Sequence, residues 1–223
     1  MKRMITVFIL TLLVMPTTAL FAYEIFGAWH SYDVPPLMSV KRGGTNDCTG
    51  EWLAIRDAAF TWNDVSCSYF YFAANSPIMS NRNTLVYDGY NQIGFGNYSN
   101  PNVIAVTYIW FSYGSWIEET DIRFNESFTW NCRGQPGNWE MDVENIAAHE
   151  LGHTFGLDDL YGWGDREKTM YGYADYGETK KRTLHQDDID GICDNYPAIA
   201  SGLKGLDFLR KEEANASWRA LEE

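Results

Sequence analysis

Two histidines four residues apart, His149 and His153, lie in a segment whose apolar residues recur at helical spacing. Side chains at positions i and i+4 share one face of a helix, so both imidazoles can direct a nitrogen at one metal ion. Glu150 follows about 100° round the helix and therefore points beside such an ion. That is where a general base acting on a metal-bound water belongs.

A turn and a carboxylate follow this pair. Gly156 lets the chain leave the helix through a turn that a side chain would hinder. Asp159 can then supply a third ligand from outside the helix. Two neutral imidazoles and one carboxylate, with a fourth position left for water, form a catalytic zinc arrangement. The pattern predicts one catalytic Zn²⁺ held by His149, His153 and Asp159, with Glu150 as the catalytic residue.

The alternative for this motif is a core helix whose histidines hydrogen-bond locally. Five fixed positions at roughly one in twenty each coincide by chance on the order of once in ten thousand chains. The other two histidines, His30 and His185, lie far from the motif. We expect His185, which stands where a helix should start, to be structural.

The elements that must position the motif alternate between strand and helix patterns. Helices are predicted over 51–65, 143–155 and 184–196, and strands over 34–41, 69–73, 92–96, 103–113 and 116–124. Gly114-Ser115 joins the last two strands as a hairpin. This order predicts a single α/β domain with a twisted, mostly parallel sheet and one antiparallel edge strand.

The ends of the chain differ from its middle. Two basic residues and an apolar run from Ile5 to Met15 predict a signal peptide over residues 1–22, because the run is too short to span a bilayer. Residues 23–200 are predicted to form the catalytic domain. Residues 201–223 are predicted to form a polar tail, with a docking segment as the alternative. The protein is thus expected to be secreted or periplasmic, without membrane association after cleavage.

Cysteines and charge constrain the rest. An exported chain with four cysteines suggests disulfides. Cys48 and Cys67 flank the first predicted helix, whose ends lie about 20 Å apart. They should not pair with each other, because a disulfide needs Cα atoms within about 7 Å. The net charge of −13 argues against nucleic acid as a partner.

The zinc motif resembles the HExxHxxGxx(H/D) pattern of the metzincin metallopeptidases, which a methionine turn follows. Thr169-Met170-Tyr171 resembles that turn in the matrixin branch, and residues 184–192 resemble the start of the matrixin C-terminal helix. Residues 116–125 resemble the last sheet strand of bacterial matrixin-like enzymes. The resemblance covers residues 28–197. It implies a metzincin-like domain with an active-site helix, a Met-turn and a C-terminal helix.

The resemblance also bears on single residues. It places the third ligand three residues after Gly156, at Asp159 rather than Asp158, and aspartate at that place resembles the snapalysin type. Gly172 stands where astacin-like branches have a tyrosine ligand, so neither neighbouring tyrosine is predicted to bind the metal. The resemblance further suggests that either Asp187 or Asp188 is a buried structural carboxylate.

These observations predict a secreted zinc-dependent endopeptidase that uses metal-activated water and Glu150 as general base. A protein or peptide substrate would bind as an extended strand along the edge strand within 103–113, as the resemblance implies. One alternative is a zinc amidase acting on cell-wall peptides, which would need the same residues. Another is a non-catalytic secreted zinc-binding protein. Glu150 argues against the latter, because a structural zinc site has four protein ligands and needs no base. The oligomeric state is not readable from the sequence.

Overall fold

A computed structural model describes residues 3–4, 23–29, 36, 38–41, 43–72, 78–112 and 116–198. Its described α-helices are α1 (Glu51–Asn63), α2 (Val143–Thr154) and α3 (Gln186–Asn195), with a short 3₁₀ helix at Lys180–Arg182. All three predicted helices are confirmed and end within a few residues of their expected bounds. The predicted tail at 201–223, most of the predicted signal peptide and His30 lie outside the described residues. No helix within the described ranges is long and apolar enough to cross a membrane.

The described strands of the main sheet follow the predicted α/β pattern. They are β2 (Ala28–Trp29), β3 (Met38–Lys41), β4 (Ile78–Ser80), β5 (Asn91–Gly96), β6 (Ala105–Ser112) and β7 (Trp116–Asn125). Strands β4, β3, β5 and β7 pair parallel in that order, and β2 pairs parallel with the start of β7. Strand β6 is antiparallel to β7. The mostly parallel sheet with one antiparallel edge is therefore confirmed, while the predicted turn at 114–115 lies outside the described ranges.

Two small ladders lie apart from the main sheet. Strand β8 (Thr129–Asn131) pairs parallel with β9 (Glu140–Asp142), which leads directly into α2. Strand β1 (Arg3–Met4) pairs antiparallel with β10 (Tyr173–Ala174). Strand β1 falls within the predicted signal peptide, so cleavage after that segment would remove this second ladder.

The strand predicted at 69–73 is wrong in its described part, since residues 69–72 form no regular strand. The aromatic rings of this segment pack inward instead. Phe70 and Phe72 contact Phe155 at the end of α2, with ring centroids 4.6 and 4.7 Å apart. The backbone N–H of Phe72 donates to the Asn63 side chain at 2.8 Å rather than to a neighbouring strand. Strand β3 pairs with β4 on one side and with β5 on the other, and β4 lies in a segment where no strand was predicted.

Helices α1 and α2 pack against each other through the buried Trp62. Its indole N–H donates to the carbonyl of Ala148 on α2 at 2.8 Å, and its ring lies 5.0 Å from that of Phe155. Gly152 faces the same contact, because a Cβ there would lie 3.1 Å from Trp62 and 2.2 Å from the Met170 sulfur. A glycine at this position therefore lets α2 fit between α1 and the segment at residues 169–171, the predicted Met-turn, which is called the Met170 loop below.

Two disulfides fasten the ends of α1 to distant elements. Cys48–Cys132 ties the segment before α1 to the end of β8, and Cys67–Cys193 ties the segment after α1 to α3. The prediction that Cys48 and Cys67 do not pair with each other is confirmed. The bonds span 84 and 126 residues, so each removes much chain entropy from the unfolded state.

The segment at 23–29 braces the turn that follows α2. The Phe26 N–H donates to the Gly156 carbonyl, and the Asp158 N–H donates to the Glu24 carbonyl, both at 2.9 Å. Gly156 has a φ of 88°, and a Cβ there would lie 1.9 Å from the Gly27 carbonyl oxygen. The turn thus needs glycine for its backbone conformation and for the close approach of this segment.

Gly156→Ala should therefore destabilise the protein by more than the roughly 1–2 kcal/mol that a left-handed alanine costs. Gly134→Ala is the matched control, because Gly134 also has a positive φ of 75° but nothing lies within 4 Å of an added Cβ. Urea unfolding monitored by tryptophan fluorescence gives both free energies of unfolding. Equal losses for the two variants would contradict the packing of Gly27 against the turn.

Candidate metal centre

Helix α2 carries three of the predicted site residues into the core. Its N-cap, Asp142, accepts a hydrogen bond from the Asn145 N–H at 2.7 Å and is paired with Arg182. From this anchored end the helix runs between the sheet and the Met170 loop. His149, Glu150 and His153 are fully buried as a result.

The structure brings His149, His153 and Asp159 together, with one ligand atom from each within 4.8 Å of the others. The two imidazole Nε2 atoms are 3.2 Å apart. Asp159 Oδ1 lies 3.1 Å from the Nε2 of His149 and 3.7 Å from that of His153. A tetrahedral zinc with bonds of about 2.0–2.1 Å spaces its ligand atoms about 3.3 Å apart. The three atoms therefore have the spacing that zinc requires.

The tautomers of the imidazoles follow from their outer hydrogen bonds. Nδ1 of His149 donates to the Thr169 carbonyl at 2.7 Å, and Nδ1 of His153 donates to the Leu157 carbonyl at 2.8 Å. A neutral imidazole has one N–H, so both Nε2 atoms carry bare lone pairs. Burial favours this neutral form, lowering the pKa of His149 and bringing that of His153 to about 4.

Two bare nitrogen lone pairs thus face Asp159 Oδ1, which is buried and without a hydrogen-bond partner in the described part of the chain. Three acceptors so close together repel one another unless a cation lies among them. Imidazole nitrogen and carboxylate oxygen are ligands of catalytic zinc, so the residues fit this metal.

Asp159 and Asp158 have different surroundings. Asp158 Oδ1 accepts the N–H of Asp159 at 2.8 Å and so serves the backbone of the turn. Asp159 Oδ2 accepts the hydroxyl of Tyr161 at 2.9 Å, which leaves Oδ1 facing the histidines. The sequence analysis did not identify Tyr161. Its position two residues after the candidate ligand was the only local signal.

The predicted Met-turn lies beneath α2 and is held from both sides. Asp188 accepts the N–H groups of Thr169 and Met170 at 2.8 and 3.1 Å. Lys181, which is fully buried, donates to the Thr169 carbonyl at 3.0 Å and also to the Tyr171 carbonyl. The Thr169 carbonyl therefore accepts hydrogen bonds from both His149 Nδ1 and Lys181 Nζ. Nothing in the local sequence marked Lys181 as part of the site.

The aspartate pair before α3 divides its roles. Asp188 is fully buried, whereas Asp187 forms an ion pair with Lys168 at 2.9 Å. His185 is the N-cap of α3, and its Nδ1 accepts the Asp187 N–H at 3.1 Å. Its role is therefore structural, as the sequence analysis expected.

Glu150 lies beside the three-atom cluster rather than in it. Its Oε2 accepts the hydroxyl of Thr107, on β6, at 2.6 Å. Its Oε1 is buried and has no hydrogen-bond partner among the described residues. Burial raises the pKa of this carboxyl to about 8, opposed by the Thr107 hydrogen bond. Glu150 is thus a carboxyl group with one oxygen free for a proton.

Tyr161→Phe should weaken zinc binding by about 10- to 100-fold, the usual effect of removing a partner that orients a metal ligand. Tyr173→Phe is the matched control, because its ring contacts Tyr161 at 5.4 Å while the Asp159 bond comes from Tyr161. Competition with a chromophoric chelator measures both affinities. Equal affinities for wild type and Tyr161→Phe would contradict the orienting role.

Comparison with known families gives an independent view of this region. Residues 99–197 match the family model described as Matrixin. This range contains β6, β7, α2, the Met-turn and α3. None of the curated proteins compared with the chain matches it.

The family match agrees with the sheet order and with the resemblance seen in the zinc motif. It also agrees with the three facing acceptors at the end of α2, since the family implies zinc. The match over residues 99–197 therefore supports a metzincin or matrixin-like peptidase, a class of enzyme for which zinc is implied.

Proposed function

We propose that this protein is a secreted zinc endopeptidase in which Glu150 is the general base. The observation that carries the proposal is a pair of neighbouring features at the buried end of α2. Three bare acceptor atoms face one another there, and beside them lies the Oε1 atom of Glu150, which has no hydrogen-bond partner in the described part of the chain. A structural zinc site would have a fourth protein ligand, and it would not need a carboxylate beside the ligands.

His149, His153 and Asp159 would hold the zinc, which as a Lewis acid would polarise the scissile carbonyl and lower the pKa of water. The chain's own contribution is proton transfer. Glu150 Oε1 accepts a proton from the attacking water and then releases it to the nitrogen of the leaving amine. Burial raises the pKa of Glu150, which helps this carboxyl group to hold the proton between the two transfers.

The substrate would bind along β6. This strand pairs with β7 on one side, and no strand among the described residues pairs with its other side. An extended peptide can add to such an edge through main-chain hydrogen bonds. Because Thr107 joins β6 to Glu150, a peptide on this edge would lie next to the base.

Secretion is supported by covalent structure. The described cysteines are all paired in disulfides, which persist in oxidising compartments. The basic and apolar start of the chain is typical of a signal peptide.

Metal removal tests the proposal directly. Purified protein should contain about one zinc per chain, and 1,10-phenanthroline should abolish hydrolysis of a peptide library until zinc is restored. Glu150→Ala should keep its zinc and lose at least ~10²-fold in activity, the low end for a positioned acid–base group. Full activity in excess chelator would contradict the proposal that the protein is a metallopeptidase. Loss of zinc from Glu150→Ala would make that residue a ligand. Hydrolysis of cell-wall peptides alone would favour an amidase.

Two aspartate variants test the third ligand. Asp159→Ala should lose zinc on dialysis against a weak chelator, because a ligand is worth more than the 10–100-fold of an orienting partner. Asp158→Ala should retain most of its zinc, since its carboxylate bonds the backbone of the turn. Asp159→His should retain zinc and some activity. An empty site in Asp158→Ala would show that the turn has a different register.

A further inference from the structure

We infer that Thr107 is a positioning residue for the catalytic carboxylate, a role that rests on the proposed function. Its hydroxyl holds Glu150 Oε2, so that Oε1 is the oxygen through which the proton passes. The edge strand β6 would thus position the base as well as bind the substrate.

Thr107 lies on the face of β6 that meets α2. It is 3% exposed and pairs with Ile122 across the antiparallel ladder. A β-branched side chain on a paired strand has few χ1 rotamers, so the hydroxyl has a fixed position relative to the sheet. The sheet therefore provides a rigid donor 43 residues away from the base in sequence.

The hydroxyl has one proton and two acceptors within reach, both on Glu150. Oε2 lies at 2.6 Å and the main-chain carbonyl oxygen at 3.3 Å. The short contact to the carboxylate is the stronger one when Glu150 is ionised, because charge-assisted hydrogen bonds are about twice as strong as neutral ones. The longer contact keeps the same hydroxyl close to the helix backbone.

This arrangement makes the two carboxyl oxygens inequivalent. The terminal torsion of a glutamate is broad and roughly two-fold, so an unheld carboxylate can present either oxygen in many orientations. With Oε2 held by Thr107, Oε1 is left buried, and none of the residues that the structure describes forms a hydrogen bond with it. Oε1 then takes the proton of the attacking water, and Oε2 stays a hydrogen-bond acceptor throughout. Proton transfer needs such a fixed donor–acceptor geometry.

A purely structural reading of Thr107 predicts something different. If the hydroxyl only satisfied a buried carboxylate, its loss would lower stability without a selective effect on turnover. The positioning role predicts, beyond any loss of stability, a fall in kcat with KM and zinc binding nearly unchanged.

Thr107→Val, which replaces the hydroxyl by a methyl group of similar size, tests this. We expect kcat to fall by about 10- to 100-fold, as for a lost hydrogen bond to a charged group. KM and zinc affinity should stay within about twofold of wild type. Thr107→Ala should show the same fall without added bulk, and Thr107→Ser should restore most of the activity. Thr120→Val is the matched control, because Thr120 is also buried in the sheet and its hydroxyl has no described hydrogen bond.

The same substitution in a Glu150→Ala background completes the test. Thr107→Val should cause no further loss there, because its partner is already gone. A wild-type kcat for Thr107→Val and Thr107→Ala in active enzyme would overturn the inference alone. So would an undiminished effect in the Glu150→Ala background, or a failure of serine to rescue. A wild-type protein without zinc-dependent hydrolysis would overturn the proposed function and the inference with it.

Discussion

Mutual repulsion among three bare acceptors is the interaction on which the rest of the site depends. The Nε2 atoms of two histidines and an oxygen of Asp159 face one another at 3.1–3.7 Å in the buried end of α2. Each group is fixed from its far side, by the Thr169 carbonyl, the Leu157 carbonyl and the Tyr161 hydroxyl. These outer bonds prevent the acceptors from turning away, so folding without a cation leaves their repulsion unrelieved. Metal binding and folding should therefore be coupled.

Holding the acceptors requires support from every side of α2. Trp62 packs on one side of it, the Met170 loop fills the space beside Gly152, and the segment at 23–29 covers the turn at Gly156. The Met170 loop is itself held between the buried carboxylate of Asp188 and the buried ammonium group of Lys181. Burying these charges is costly alone, and they are stable because each has several hydrogen bonds to the backbone. The site is thus rigid because its supports are paired with one another as well as with the helix.

The edge strand β6 would connect substrate binding with catalysis. In the proposed enzyme, one face of β6 holds Glu150 through Thr107, while its free edge would receive the peptide. The positions of the base and of the substrate would then both be fixed relative to β6. A shift of β6 relative to α2 would misplace both, and the antiparallel pairing with β7 opposes such a shift.

Local spacing determined the centre of this protein. The helix, its histidine pair, the neighbouring base and the glycine turn all follow from positions within a few residues of one another, where the geometry of a single helix governs which side chains meet. The parallel sheet with an antiparallel edge followed in the same way from the order of the patterns.

Tertiary structure alone decided the partners that come from afar. Lys181 and Thr107 reach the site from other elements, at sequence separations that no periodicity describes. The segment at 69–72 is rich in aromatic residues, and this composition favoured the prediction of a strand. In the folded protein the rings of Phe70 and Phe72 pack against Phe155, and burial of such apolar surface is favourable without a β-ladder. Contacts of this kind depend on which surfaces meet after folding, and a sequence pattern carries no measure of them.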